Sequence, residues 1–85
     1  MINPKKSDLL ILLGKRIRYL RLKKKMSQRD LGIEALMEKS TIQRIERGLM
    51  NCTINTLLRL ANALGVSISS LLDFNDPMDE IFKSN

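Results

Sequence analysis

An all-α fold of five helices is predicted by three features of this 85-residue chain. Apolar residues make up 44% of it but aromatics only 4%, and the apolar set is mainly Leu, Ile and Met, which favours packed helices over a β-sandwich or barrel. The apolar positions recur at three- and four-residue intervals. No two-residue hairpin signal or alternating strand run interrupts them. A chain of this length forms one domain and buries only roughly 60% of its unfolded surface, so dimerisation would add to a modest core.

Residues 1–7, with Asn3, Pro4, Lys5, Lys6 and Ser7, read as a flexible basic arm ending at a helix cap on Ser7 or Asp8. The first helix then runs to about Lys24. Leu10, Leu13, Ile17 and Leu20 form its apolar stripe, and Lys15, Arg16, Arg18 and Lys23 occupy other faces. Lys23, Lys24 and Lys25 end it, where cations suit the negative end of the helix dipole. Ser27 is a natural N-cap and Asp30 stands three residues on, a capping box with Asp in place of Glu, so the second helix covers about Gln28 to Ala35. Leu36 and Met37 make a turn, and a third helix follows from about Glu38 to Arg47, with Gly48 placed to close it in a left-handed conformation. Thr53 caps a fourth helix carrying Leu57, Leu60, Ala61 and Leu64, and Gly65 stops it. A short fifth helix holds Ile68, Leu71 and Leu72. Residues 8–73 thus form the domain, and residues 74–85 a tail with Met78, Ile81 and Phe82 at helical spacing.

The second and third helices, joined by so short a turn, form a helix-turn-helix. Lys39, Ser40, Gln43 and Arg44 fall on the outward face of the third helix while Ile42 and Ile45 point inward, so this helix can be laid in the major groove of DNA. Charge agrees with that placement. Residues 1–48 hold 13 Lys and Arg against five Asp and Glu, a net of +8, whereas residues 49–85 carry a net of −2. The lysines of the arm either enter a minor groove or stay solvated.

The single cysteine excludes an intrachain disulfide framework, and the absence of histidine removes the usual zinc-ligand sets and the commonest general base. No metal site, no cofactor and no catalytic residue is expected, and the chain is not read as an enzyme. Leu9–Leu13 is far shorter than the ~20 residues of a membrane span, so no membrane contact and a cytoplasmic location are expected.

Five fragments carry a resemblance. They are Ile17-Arg18-Tyr19-Leu20-Arg21; Ser27-Gln28 with Leu31; Thr41-Ile42 with Ile45-Glu46-Arg47-Gly48; Thr56-Leu57 with Leu60-Ala61; and Ala63-Leu64-Gly65-Val66-Ser67. In this order and with these gaps, residues 13–73 resemble the Cro and repressor class of helix-turn-helix regulators, also called the xenobiotic-response-element family. It includes small phage repressors and restriction–modification controller proteins. The resemblance implies a five-helix, lambda-repressor-like DNA-binding domain. It implies base reading by Glu38, Lys39, Ser40, Gln43 and Arg44, phosphate contacts at Ser27, Gln28, Arg47, Asn51 and Thr53, and a largely buried structural ion pair between Arg21 and Glu46. Glu38 departs from the small hydroxyl residue usual there, Leu36 from a turn glycine, Gly32 from a helix alanine and Cys52 from a proline. Cys52 reads as an apolar filler rather than a redox switch.

The function these features imply is a sequence-specific transcriptional regulator acting on double-stranded DNA as a homodimer. Ile68, Leu71, Leu72, Phe74 and Ile81 are the expected dimer surface, with about half of them alternatively closing the core. A dimer fits a pseudo-palindromic operator with half-sites ~34 Å apart. No small-molecule effector segment is evident. The alternative is an antitoxin or co-regulator whose C-terminal helices bind another protein, with DNA secondary.

Overall fold

The computed structural model describes residues 5–78, which form five helices: α1 (Lys6–Lys23), α2 (Gln28–Ala35), α3 (Lys39–Glu46), α4 (Ile54–Leu64) and α5 (Ile68–Leu71). The apolar stripes meet in one core. Leu13, Ile17 and Leu20 of α1, Leu31 and Ala35 of α2, Ile42 and Ile45 of α3, Leu57, Leu60, Ala61 and Leu64 of α4, and Leu71 of α5 are all buried there. α3 is thereby held between α1 and α2, with α4 behind α2 and α5 closing the bottom of the core.

Local chemistry sets most of the helix ends. The Ser27 hydroxyl accepts from the Asp30 N–H at 2.9 Å and the Asp30 carboxylate accepts from the Ser27 N–H at 3.0 Å, completing the capping box at α2. Thr53 and Ser67 cap α4 and α5 by accepting from Thr56 N–H and Ser70 N–H. Gly48 and Gly65 take φ of +73° and +68°, the left-handed region in which a side chain is strained.

The start of α1 differs from expectation. It begins at Lys6, with Lys5 at the N-cap and no side-chain cap bond, so neither Ser7 nor Asp8 is the cap. Asp8 instead stands in the first turn, where its charge suits the helix dipole. The basic arm therefore gives Lys6 and Ser7 to the helix, and residues 1–4 lie outside the described residues.

Two further corrections come from how the elements stack. Leu71, expected at a dimer surface, is 0% exposed because α5 turns it into the core. Arg16, read on a face away from the apolar stripe, is only 3% exposed, because the chain after α5 folds back across α1. Its Nε donates to the Ser70 carbonyl at 2.9 Å, its Nη1 pairs with Asp76 at 2.7 Å, and its guanidinium lies 5.6 Å from the Tyr19 ring centre. The described part of the tail is thus fastened to α1, with Phe74 against the core. Ile81, the remaining dimer candidate, lies outside the described residues.

Candidate nucleic-acid interface

α3 is amphipathic in the strict sense that its two inward residues, Ile42 and Ile45, are 0% and 1% exposed while Lys39, Ser40, Gln43 and Arg44 all face solvent. Glu38, its N-cap residue, is exposed too and makes no cap bond; the Ser40 hydroxyl lies 3.5 Å from its carboxylate. Among the described residues the side chains of Lys39, Gln43 and Arg44 have no hydrogen-bond or ion-pair partner, so their donors remain unsatisfied by protein. The structure therefore brings four of the expected base readers to one open face, with Glu38 at its leading end.

The start of α2 lies beside that face. The Gln28 and Arg29 N–H groups have no acceptor among the described residues, and a helix start with open N–H groups attracts anions. The hydrogen bond from the Ser27 backbone N–H first, and the neighbouring Ser27 hydroxyl second, hold the Asp30 carboxyl below its ordinary value of 3.8. Arg47, Asn51 and Thr53 are exposed around the loop that leaves α3, although the Thr53 hydroxyl is already engaged as the α4 cap.

Under the face lies the Arg21–Glu46 pair. Arg21 Nε donates to Glu46 Oε2 at 2.6 Å and Nη2 to Oε1 at 2.9 Å, a two-pronged bond between side chains 8% and 4% exposed. Arg21 Nη1 also donates to the Met26 carbonyl at 2.9 Å, and Gln28 Nε2 donates to Glu46 Oε1 at 3.1 Å. One network thus joins α1, the entry to α2 and the end of α3.

Two determinants of α3's position have no place in the motif reading. Gly14, midway along α1, lets α3 approach so closely that a Cβ there would stand 2.5 Å from the Glu46 carbonyl oxygen and 2.6 Å from that of Ile45. A glycine inside an otherwise good helix is itself a readable sign of close packing. Arg59 of α4 donates from Nε to the Ala35 carbonyl at 2.9 Å and from Nη2 to that of Leu36, closing the C-terminal end of α2. No local signal marks that role. The turn needs such help, since Leu36 adopts φ +59° in place of the more tolerant glycine. Gly32 is fitted to this turn, for a Cβ on it would meet the Met37 carbonyl oxygen at 2.6 Å. Cys52 is half-buried against the core, and burial raises its pKa above the ordinary thiol value, which suits a filler.

A bundle of five helices in which α2 and α3 make a helix-turn-helix with an open, hydrogen-bonding outer face defines a DNA-binding transcriptional regulator. The helix-turn-helix family model HTH_3 matches residues 17–71, and the chain belongs to that family. It is 36% identical over 69 residues to the control protein C.BamHI of Bacillus amyloliquefaciens, covering 80% of this chain and 85% of that protein. It is 34% identical over 59 residues to the immunity repressor protein of Bacillus phage phi105, covering 69% of this chain but 41% of the repressor. Among solved structures, the restriction-modification controller protein C.AhdI from Aeromonas hydrophila superposes with a TM-score of 0.72 at 34% identity, over 73% of this chain and 94% of the controller. No described helix is long and apolar enough to cross a membrane.

Proposed function

We propose that this regulator reads a specific double-stranded DNA sequence by inserting α3 into the major groove, and that it does so as a homodimer on a pseudo-palindromic operator. The observation that carries the reading is the outer face of α3, where Lys39, Ser40, Gln43 and Arg44 are exposed above a fully buried Ile42 and Ile45. Lys39 and Arg44 suit the O6 and N7 acceptors of guanine, Gln43 suits adenine, and Ser40 meets either. Glu38 at the leading end accepts from a cytosine amine. Ser27 and Gln28 at the start of α2, Arg47 at the end of α3, and Asn51 and Thr53 before α4 take backbone phosphates in this reading. Exposed Leu72, with half-buried Ile68 and Phe74, remains of the expected dimer surface, and exposed Ile54 and Leu58 add an apolar ridge one turn apart on α4.

Selection of bound duplexes from a random library at near-physiological salt tests the reading, because salt suppresses sequence-independent phosphate binding. A recovered pseudo-palindrome supports a dimeric sequence reader. Recovery of no motif overturns base reading and favours the protein-partner alternative, for which the same apolar ridge would serve. Arg44→Ala is expected to cost about 1–3 kcal/mol and relax one position of the site, whereas Asn51→Ala weakens binding to all sequences alike. Equal effects of the two on every duplex would refute the division into base and phosphate contacts.

A further inference from the structure

Glu46 is oddly placed for a purely structural acid. It is the last residue of α3, where the helix dipole disfavours a negative charge, and its side chain is 4% exposed. Arg21 offsets both costs with its two-pronged bond. Arg21 alone does not use all of the carboxylate, because Oε1 also accepts from Gln28 Nε2 at 3.1 Å.

That third bond has a directional consequence. A carboxylate only accepts, so it can face the NH2 end of an amide and not the carbonyl end. Glu46 thereby decides which way round the half-exposed Gln28 amide sits, and leaves the second N–H of that nitrogen for an outside acceptor. Meanwhile Arg21 cancels the charge that would repel a nearby phosphate, and its Nη1 grips the Met26 carbonyl directly before the α2 cap. We propose that Glu46, balanced by Arg21, is a positioning residue for DNA backbone recognition, which presents a Gln28 N–H to a phosphate oxygen. The inference rests on Gln28 being a phosphate contact.

A double-mutant cycle over Gln28→Ala and Glu46→Gln tests it, with binding to a short duplex of arbitrary sequence at low salt as the readout, because a phosphate contact does not depend on sequence. Thermal melts fix a temperature at which all four proteins are folded. Each single change is expected to weaken binding roughly three- to tenfold, the range of one hydrogen bond, and the double variant to be no weaker than Gln28→Ala alone. An equal loss from Glu46→Gln in both backgrounds overturns the positioning role while leaving Gln28 a phosphate contact. No loss from Gln28→Ala overturns the phosphate reading itself, and the positioning role with it. A second measurement needs no variant. In the free protein the two Gln28 side-chain amide protons are expected to show resonances displaced from those of a solvated glutamine, with restricted motion on the nanosecond scale. Resonances identical to those of a freely rotating side chain overturn the proposal.

Discussion

Gly14→Ala gives the sharpest test of how α3 is held, because its expected sign is opposite to the usual one. Inside a helix, replacing Gly by Ala ordinarily adds about 0.5–1 kcal/mol through reduced backbone freedom in the unfolded chain. Here the added Cβ would stand 2.5 Å from the Glu46 carbonyl oxygen, 2.6 Å from that of Ile45 and 2.8 Å from the Glu46 carbonyl carbon. All three are backbone atoms, so no side-chain rotation relieves the overlap. Restoring an ordinary C···O separation of about 3.3 Å requires α1 and α3 to part by roughly 0.8 Å. A gap of that size forfeits a quarter to a half of the dispersion energy across the α1–α3 seam, and overpacking of this kind costs about 1–3 kcal/mol. After the propensity gain, a net loss of up to about 2.5 kcal/mol remains, which for a domain of this size lowers Tm by up to roughly 20 °C. Thermal unfolding followed by circular dichroism measures it. Because the displaced element is α3, binding to the selected operator is expected to fall further than the folded fraction does. A Gly14→Ala protein that melts at or above the parent refutes the close crossing of α1 and α3.

Three other perturbations separate the remaining contacts. Arg16→Met is expected to cost about 1.5–3 kcal/mol, since it removes the charged hydrogen bond to the Ser70 carbonyl, which keeps only its bond from the Asp73 N–H, whereas Asp76→Asn costs about 1 kcal/mol or less because that side chain is 38% exposed; equal losses in urea denaturation would contradict the buried role of Arg16. Leu36→Gly is expected to raise the urea midpoint by about 0.5–1 kcal/mol of stability, as relief of the left-handed strain outweighs the added freedom of the unfolded chain, and a lowered midpoint would refute it. Asp30 has its pKa lowered in the folded state, so its contribution is present above the ordinary value of 3.8 and lost as pH falls through the lower folded value. The stability difference between the parent and Asp30→Asn should therefore shrink with acidification over that window, and a difference constant with pH would show that the carboxylate is not held by Ser27.

What the chain discloses by itself is whatever depends on near neighbours. The α2 capping box, the left-handed Gly48, the stop of α4 at Gly65, and the inward pair Ile42 and Ile45 all involve residues within a few positions of one another, and each is found as read. The outward face of α3 follows from the same periodicity, since fixing Ile42 and Ile45 inward leaves Lys39, Ser40, Gln43 and Arg44 outside. Contacts spanning long stretches were not legible from the residues themselves, and the Arg21–Glu46 pair, 25 positions apart, was expected only through the family resemblance. Arg16 reaches Ser70 and Asp76 across 54 and 60 positions, and Arg59 reaches Ala35 across 24, so nothing beside either arginine announces its partner. The same reason moved Leu71 from an expected surface into the core: a four-residue helix has too little periodicity to say which side is inward.

The Arg59 bonds to Ala35 and Leu36 also bear on synthesis, which runs from the N-terminus. A nascent chain that has emerged only through α3 contains every residue proposed to read bases, yet lacks the guanidinium that closes the α2 end and the Leu57 and Leu60 side chains that back the core. Its turn, strained at Leu36, has its carbonyls exposed to water until α4 arrives. The part that would recognise DNA is thus made first and completed late, and a shortened product ending before α4 would carry the proposed reading residues without the frame that aims them.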